Sequence, residues 1–123
     1  MRTWIKQDPK KKNCGVIAVA VIAGVTLEEA AKAIGKNGAT TTKQLVKGLR
    51  ALGYECPDRC TKFKLPLPQM AIAQMHDPNR KSGWHWVSIV DAKIYDGLFG
   101  NEDGTVRWPL GCKMTSYLPI KKI

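Results

Sequence analysis

Cys14 is the residue of this chain best placed by its neighbours to act as a nucleophile. It closes a polar, lysine-rich loop that begins at Gln7, and it opens an apolar run, Val16 to Ala23, that fits the first turns of a buried helix. A thiol at a helix N-terminus faces the positive end of the macrodipole and N–H groups without intrahelical partners, so its thiolate is favoured. Lys10, Lys11 and Lys12 push the same way, and Gly15 lets another group come close where a side chain would obstruct it. Gln7 stands seven positions upstream, where its amide and the Cys14 N–H could together donate to an oxyanion forming over the sulfur. The competing reading is a buried structural thiol, since free cysteine is among the most buried residue types.

A catalytic thiolate needs a base within hydrogen-bond reach and a third group that holds the imidazole in orientation. Of the two histidines, His76 falls in a polar turn, whereas His85 begins an aromatic and β-branched run, Trp84 to Val90, that reads as a central strand. For the third group, a hairpin with Val90 to Lys93 as its loop sets Ile89 against Ile94 and Val87 against Asp96. Asp96 is then diagonal to His85 on one sheet face, at roughly 7 Å between α-carbons. A slip of one residue would send Asp96 to the other face. Asn101 is the alternative third member.

The elements that must position these groups follow from the intervening pattern. Thr26 with Glu29 forms a capping box for a second helix that stops at Gly35, its apolar face made by Leu27, Ala30, Ala31 and Ile34. Thr40, Thr41 and Thr42 offer N-caps for a third helix, with Leu45, Val46, Leu49 and Leu52 on one side and Gly53 as the left-handed stop. A strand is expected to start at Tyr54-Glu55-Cys56. Leu65-Pro66-Leu67-Pro68 is a stiff connection into a strand from Met70 to Met75, and a turn from His76 to Gly83 precedes the histidine strand. Ile94 to Asp96 should return antiparallel to it, and Thr105 to Trp108 and Lys113 to Leu118 are expected to close the sheet. Helices first and an antiparallel sheet second define an α+β domain, one unit over 1–123. In such a domain His85 should face the helix start, with Trp84 and Trp86 on the opposite side of the strand and neither blocking the sulfur.

The order of these elements resembles the papain-like cysteine peptidases, in which a glutamine in the preceding loop completes the oxyanion hole and the nucleophile heads the central helix. The likeness is nearest to stand-alone domains similar to the peptidases that remove double-glycine leaders from bacteriocins, where a Leu-Gly-Tyr exit such as Leu52-Gly53-Tyr54 follows the third helix. The resemblance implies Cys14 as nucleophile, His85 as base, Asp96 as its orienting partner and Gln7 in the oxyanion hole. It also implies a peptide or protein substrate that carries Gly-Gly. Asn101 enters through the same resemblance, because asparagine serves in papain and the interval from His85 to Asn101 is the more typical one.

Composition sets the outer bounds. The 123 residues can bury a core without staples, and 44% hydrophobic with 24% charged residues is ordinary for a globular domain. No secretory or membrane-spanning run is expected, which makes the cytoplasm the default compartment. The net charge of +10 would favour nucleic acid or an acidic protein as partner, and a small basic binding protein with an inert Cys14 is the alternative function. No nucleic-acid module is recognisable, and a solvated basic surface accounts for the charge. Cys56 and Cys60, spaced C-x-x-x-C, would need His76 or Cys112 to make a zinc site, and no second cysteine pair answers them. Neither a metal nor a cofactor is expected.

Overall fold

The computed structural model describes residues 2–80 and 83–123 and has an α+β architecture, three helices packed on an antiparallel sheet. Helix α1, Cys14–Ala23, is buried from Gly15 to Ile22 and lies against the strands on one side and the other two helices on the other. Its valines and isoleucines are indifferent helix formers, so burial on all sides sustains it rather than propensity. Helix α2, Leu27–Ile34, starts from the expected Thr26–Glu29 capping box and ends at Gly35 with φ of 95°. Helix α3, Thr42–Ala51, takes Thr41 as its cap, in a second capping box with Gln44, and stops before Gly53 at φ of 91°. Helices α2 and α3 pack closely because position 48 has no side chain: a β-carbon there would lie 2.5 Å from Ile34 Cγ1.

Seven strands among the described residues complete the fold. Strand β1, Tyr54–Glu55, pairs only with β7, Lys121–Lys122. The main sheet has the order β2-β6-β3-β4-β5, formed by Thr61–Lys62, Lys113–Pro119, Met70–His76, Trp84–Val90 and Lys93–Tyr95, with β2 unforeseen from the sequence. The expected strand over 105–108 does not form; that stretch makes a single bridge, Gly100 to Val106, and follows a turn instead of a ladder. The sheet separates two apolar clusters. Ile72, Val90 and Leu118 pack toward the helices, while Ala71, Ala73, Val87 and Ile89 pack on the far side beneath Phe63, Leu67, Trp108 and Tyr117.

The hairpin that delivers the third site residue is tighter than expected. Val90 pairs with Lys93, so the loop is only Asp91-Ala92, both at positive φ (53° and 59°), as two-residue hairpins with the favoured twist require. The register is nonetheless the expected one, Ile89 against Ile94. No single helix among the described residues is long and apolar enough to cross a membrane.

Candidate active site

Cys14 is the first residue of α1. The preceding Asn13 makes no side-chain cap and instead donates from Nδ2 to Asn37 Oδ1 at 3.3 Å. No backbone acceptor among the described residues takes the Cys14 N–H, so the donor nearest the sulfur stays available to a ligand. Strand β5 ends at Tyr95, opposite Ser88, and beyond it the edge of β4 is open. Cys14 occupies that edge: the Trp86 backbone N–H donates to its Sγ at 3.4 Å.

His85 lies on the same strand, one residue away, with both its side chain and that of Asp96 fully buried. Its Nε2 and Asp96 Oδ1 are 2.8 Å apart. The same Oδ1 accepts from the N–H groups of Leu98 (2.9 Å) and Phe99 (3.1 Å), and Oδ2 accepts from Trp108 Nε1 at 2.7 Å. The Asp96 carbonyl is held as well, by Trp4 Nε1 and the Gly100 N–H, each at 2.9 Å. With Nε2 occupied, Nδ1 is the ring nitrogen left for the thiol, and it makes no aligned hydrogen bond in the resting arrangement. The contact is close enough for thiol and imidazole to perturb each other.

Their titration follows from that contact. Burial pushes the Cys14 thiol up, but the adjacent His85 ring and its charge, the Trp86 N–H and the charge of Arg80 outweigh it and leave the thiol below its ordinary value. Burial pushes His85 down, and the Asp96 carboxylate together with the Cys14 sulfur reverses this, raising the imidazole to about 9. Asp96 is likewise pushed up by burial and brought net below the carboxylate range by His85 and the two backbone donors. Near neutrality the imidazole is therefore protonated, and that charge biases the thiol toward thiolate. In the other three cysteines the balance goes the opposite way: burial raises Cys56, Cys60 and Cys112 above the ordinary thiol value. The cations that act most strongly on the sulfur are His85 and Arg80 rather than the lysines of the loop.

Gln7 is buried and lines the same cleft as Cys14. One N–H of its amide donates to the Lys11 carbonyl at 3.1 Å and ties the loop; the other is uncommitted among the described residues. Its backbone N–H donates to the Gly97 carbonyl at 2.8 Å. Glycine is required at 97 by proximity alone, since a β-carbon would stand 2.5 Å from the Ile5 carbonyl and 3.1 Å from Gln7 N. Gly15 plays the expected part with an unexpected neighbour, the side chain of Thr40, against which a β-carbon would collide.

The structure thus brings Cys14, His85, Asp96 and Gln7 together and leaves Asn101 out. Asn101 is exposed in the turn after Gly100, bonded through Nδ2 to Thr105 Oγ1 at 3.2 Å. Its longer interval from His85 ends in a tight local turn, while the hairpin register delivers Asp96.

A second correction concerns the strand's two faces. His85 shares its side with Val87 and Ile89, away from the helices, and Trp86 packs toward them. The imidazole reaches the sulfur around the open edge of β4 instead of across the sheet face. Trp86 is on the face opposite His85, as expected, and both tryptophans line the open cleft beside the sulfur, Trp84 remaining 49% exposed with His76 tilted against it at 4.9 Å between centroids.

The cleft beside Cys14 measures about 430 Å³, within the usual range of small-ligand sites. A larger concavity of about 620 Å³ at the other end of α1, bounded by Arg2, Gly24 and Tyr54, contains neither thiol nor imidazole. Three contributors escaped sequence reasoning. Trp108 and Gly97 had no local signal pointing to Asp96 or Gln7, and Arg80 was one basic residue among many. For the cysteine pair, Cys60 lies near Ser116 and Thr42, Cys112 lies beside Asp77, and no three metal-ligating side chains converge among the described residues. No protein-family model and no curated protein sequence matches the chain.

Proposed function

We propose that the protein is a papain-like thiol hydrolase that cleaves a peptide or isopeptide bond through Cys14, His85 and Asp96. One observation carries the reading: a single thiol among four is biased toward thiolate, and it is the one that heads a helix beside a buried histidine–carboxylate pair. Structural thiols have no need of that combination.

In the reaction the Cys14 thiolate adds to the scissile carbonyl carbon, and the carbonyl π electrons move to oxygen. The oxyanion accepts from the Cys14 N–H and the free Gln7 amide N–H. His85 passes the Nδ1 proton to the leaving amine as the C–N bond breaks, giving a thioester. A water then attacks the thioester with His85 as base, and Cys14 leaves as thiolate. Asp96 keeps the ring oriented and stabilises the imidazolium throughout. The resemblance to double-glycine leader peptidases points to a Gly-Gly substrate, whose small residues would pass beside Trp84 and Trp86 in the cleft wall.

Intact-mass analysis after iodoacetamide or E-64 at neutral pH tests the thiol, with Cys14→Ala as control. The expected outcome is a single adduct at Cys14 before any at Cys56, Cys60 or Cys112; equal rates at all four would overturn the reading. Incubation with Gly-Gly-containing peptides and with glutamine-bearing proteins then separates cleavage from a deamidation shift of about one dalton, the other use of this chemistry.

A further inference from the structure

The cleft that holds Cys14 is lined by cations, and one of them, Arg80, forms no ion pair among the described residues. Arg80 lines it, and Arg80 Nη1 is buried with no hydrogen-bond partner among the described residues. The ion pairs among those residues are Arg50–Asp58 and His85–Asp96; Arg80 belongs to neither. Asp77 is its nearest acidic neighbour in sequence and feels its charge, but the two form no ion pair: Asp77 Oδ1 accepts from the Asn79 N–H at 2.9 Å and Asn79 Nδ2 at 3.1 Å, and Oδ2 is buried without a hydrogen-bond partner among the described residues. A desolvated guanidinium nitrogen without a partner is costly, and an incoming acceptor relieves that cost.

The rest of the lining agrees in sign. Lys12 adds a second cation, and no acidic side chain lines the cleft among the described residues. Two helices begin on it, α1 at Cys14 and α3 at Thr42, so both positive dipole ends point at the same space. A neutral peptide carbonyl can accept from these donors, but a carboxylate gains the charge attraction of every one of them as well.

We propose that the substrate is held in this cleft through a carboxylate bound by Arg80, with Lys12 supplying longer-range attraction. This rests on the reading of Cys14 as a nucleophile. The carboxylate has two possible sources, an acidic side chain near the scissile bond or a free C-terminus.

Two alkylating reagents of nearly equal size separate the proposal from its premise. Neutral iodoacetamide reports the activated thiol, and anionic iodoacetate reports the thiol together with the carboxylate site. Rates of Cys14 modification at neutral pH are measured on the full chain by intact mass, against a free thiol in a short peptide. The iodoacetate-to-iodoacetamide ratio is expected to exceed that of the free thiol. Arg80→Gln should lower it by about tenfold, the loss of one charge-assisted hydrogen bond, and Arg80→Lys should restore part of it. Any change in the thiol itself affects both reagents and cancels in the ratio, and a thermal melt confirms that both variants are folded.

The source is read by protection of Cys14 from iodoacetamide, using Gly-Gly peptides with Glu or Gln beside the glycines, each as free acid and as amide. Protection that follows Glu assigns the side chain; protection that follows the free acid assigns the C-terminus. A wild-type ratio equal to that of the free thiol, or one unmoved by Arg80→Gln, overturns the carboxylate site while rapid iodoacetamide reaction leaves the enzyme reading intact. Protection by a single-stranded oligonucleotide and by none of the peptides overturns it as well. If neither reagent modifies Cys14 faster than the free thiol, the nucleophile reading fails, and this proposal with it.

Discussion

Replacing Asp96 by asparagine isolates the charge that holds the site together. The carboxylate accepts four hydrogen bonds, from His85 Nε2, the N–H groups of Leu98 and Phe99, and Trp108 Nε1, within a side-chain pair that is fully buried. An amide of the same shape offers one accepting oxygen and turns an NH₂ toward one of those donors. Without the carboxylate, burial is the strongest influence left on His85, and the imidazole should fall from about 9 to its ordinary 6.5 or lower. That fall amounts to roughly 3 kcal/mol of lost imidazolium stabilisation. Cys14 then loses the cation that offsets its own burial, and its titration moves up. The assay is the rate of iodoacetamide modification of Cys14 across pH. In the wild type the rate should rise through a midpoint below the ordinary thiol value. In Asp96→Asn the midpoint should shift upward, and the rate at pH 7 should fall by about 10- to 100-fold. Stability should respond with definite signs. The raised His85 contributes fully below its unfolded value and loses that contribution as pH rises from about 6.5 through about 9. The depressed Asp96 contributes above its unfolded value and loses that as pH falls through its folded value. Both limbs should flatten in the variant, with an overall loss of about 3–5 kcal/mol, as for one partner removed from a buried pair. An unchanged alkylation profile in a folded Asp96→Asn protein would refute the reasoning.

Trp108→Phe keeps the ring over the far-side cluster but removes the N–H that Asp96 Oδ2 accepts, so chemical denaturation should show a loss of about 1–3 kcal/mol, with slower alkylation of Cys14. Gln7→Ala should leave alkylation, which forms no oxyanion, within a few-fold of wild type while peptide turnover falls by about 10²- to 10³-fold. Gly97→Ala should reproduce that split in weaker form, because its methyl group pushes on Ile5 and Gln7 and not on the sulfur; equal losses in both assays would instead indicate a general collapse of the site. Ala92→Gly relieves a left-handed alanine in the hairpin turn and should raise stability by about 1 kcal/mol, read as a shifted denaturation midpoint.

What was legible beforehand was local. The Thr26–Glu29 box and the stops at Gly35 and Gly53 depend on groups within a few residues of one another. The nucleophile's place at the head of α1 depends on a polar loop meeting an apolar run, and the choice of His85 over His76 on the strand that follows it. The register that brings Asp96 to His85 could also be read, because alternation along two strands joined by a short turn leaves few pairings. Other features were not written in any such neighbourhood. Cys14 meets the strand edge because β5 stops at Tyr95, which also leaves the tryptophans in the cleft wall, while the histidine's face is set by which side of β4 packs on the helices. Trp108 grips Asp96, Arg80 lies in the cleft and Gly97 supports Gln7 through contacts between segments distant in the chain. By itself, then, the sequence determined which residues could do chemistry and which elements carry them, since both follow from residue type and short-range periodicity. Only the tertiary structure decided how the imidazole approaches the sulfur and which side chains tune the pair, because those depend on where strands end and on how separate elements pack.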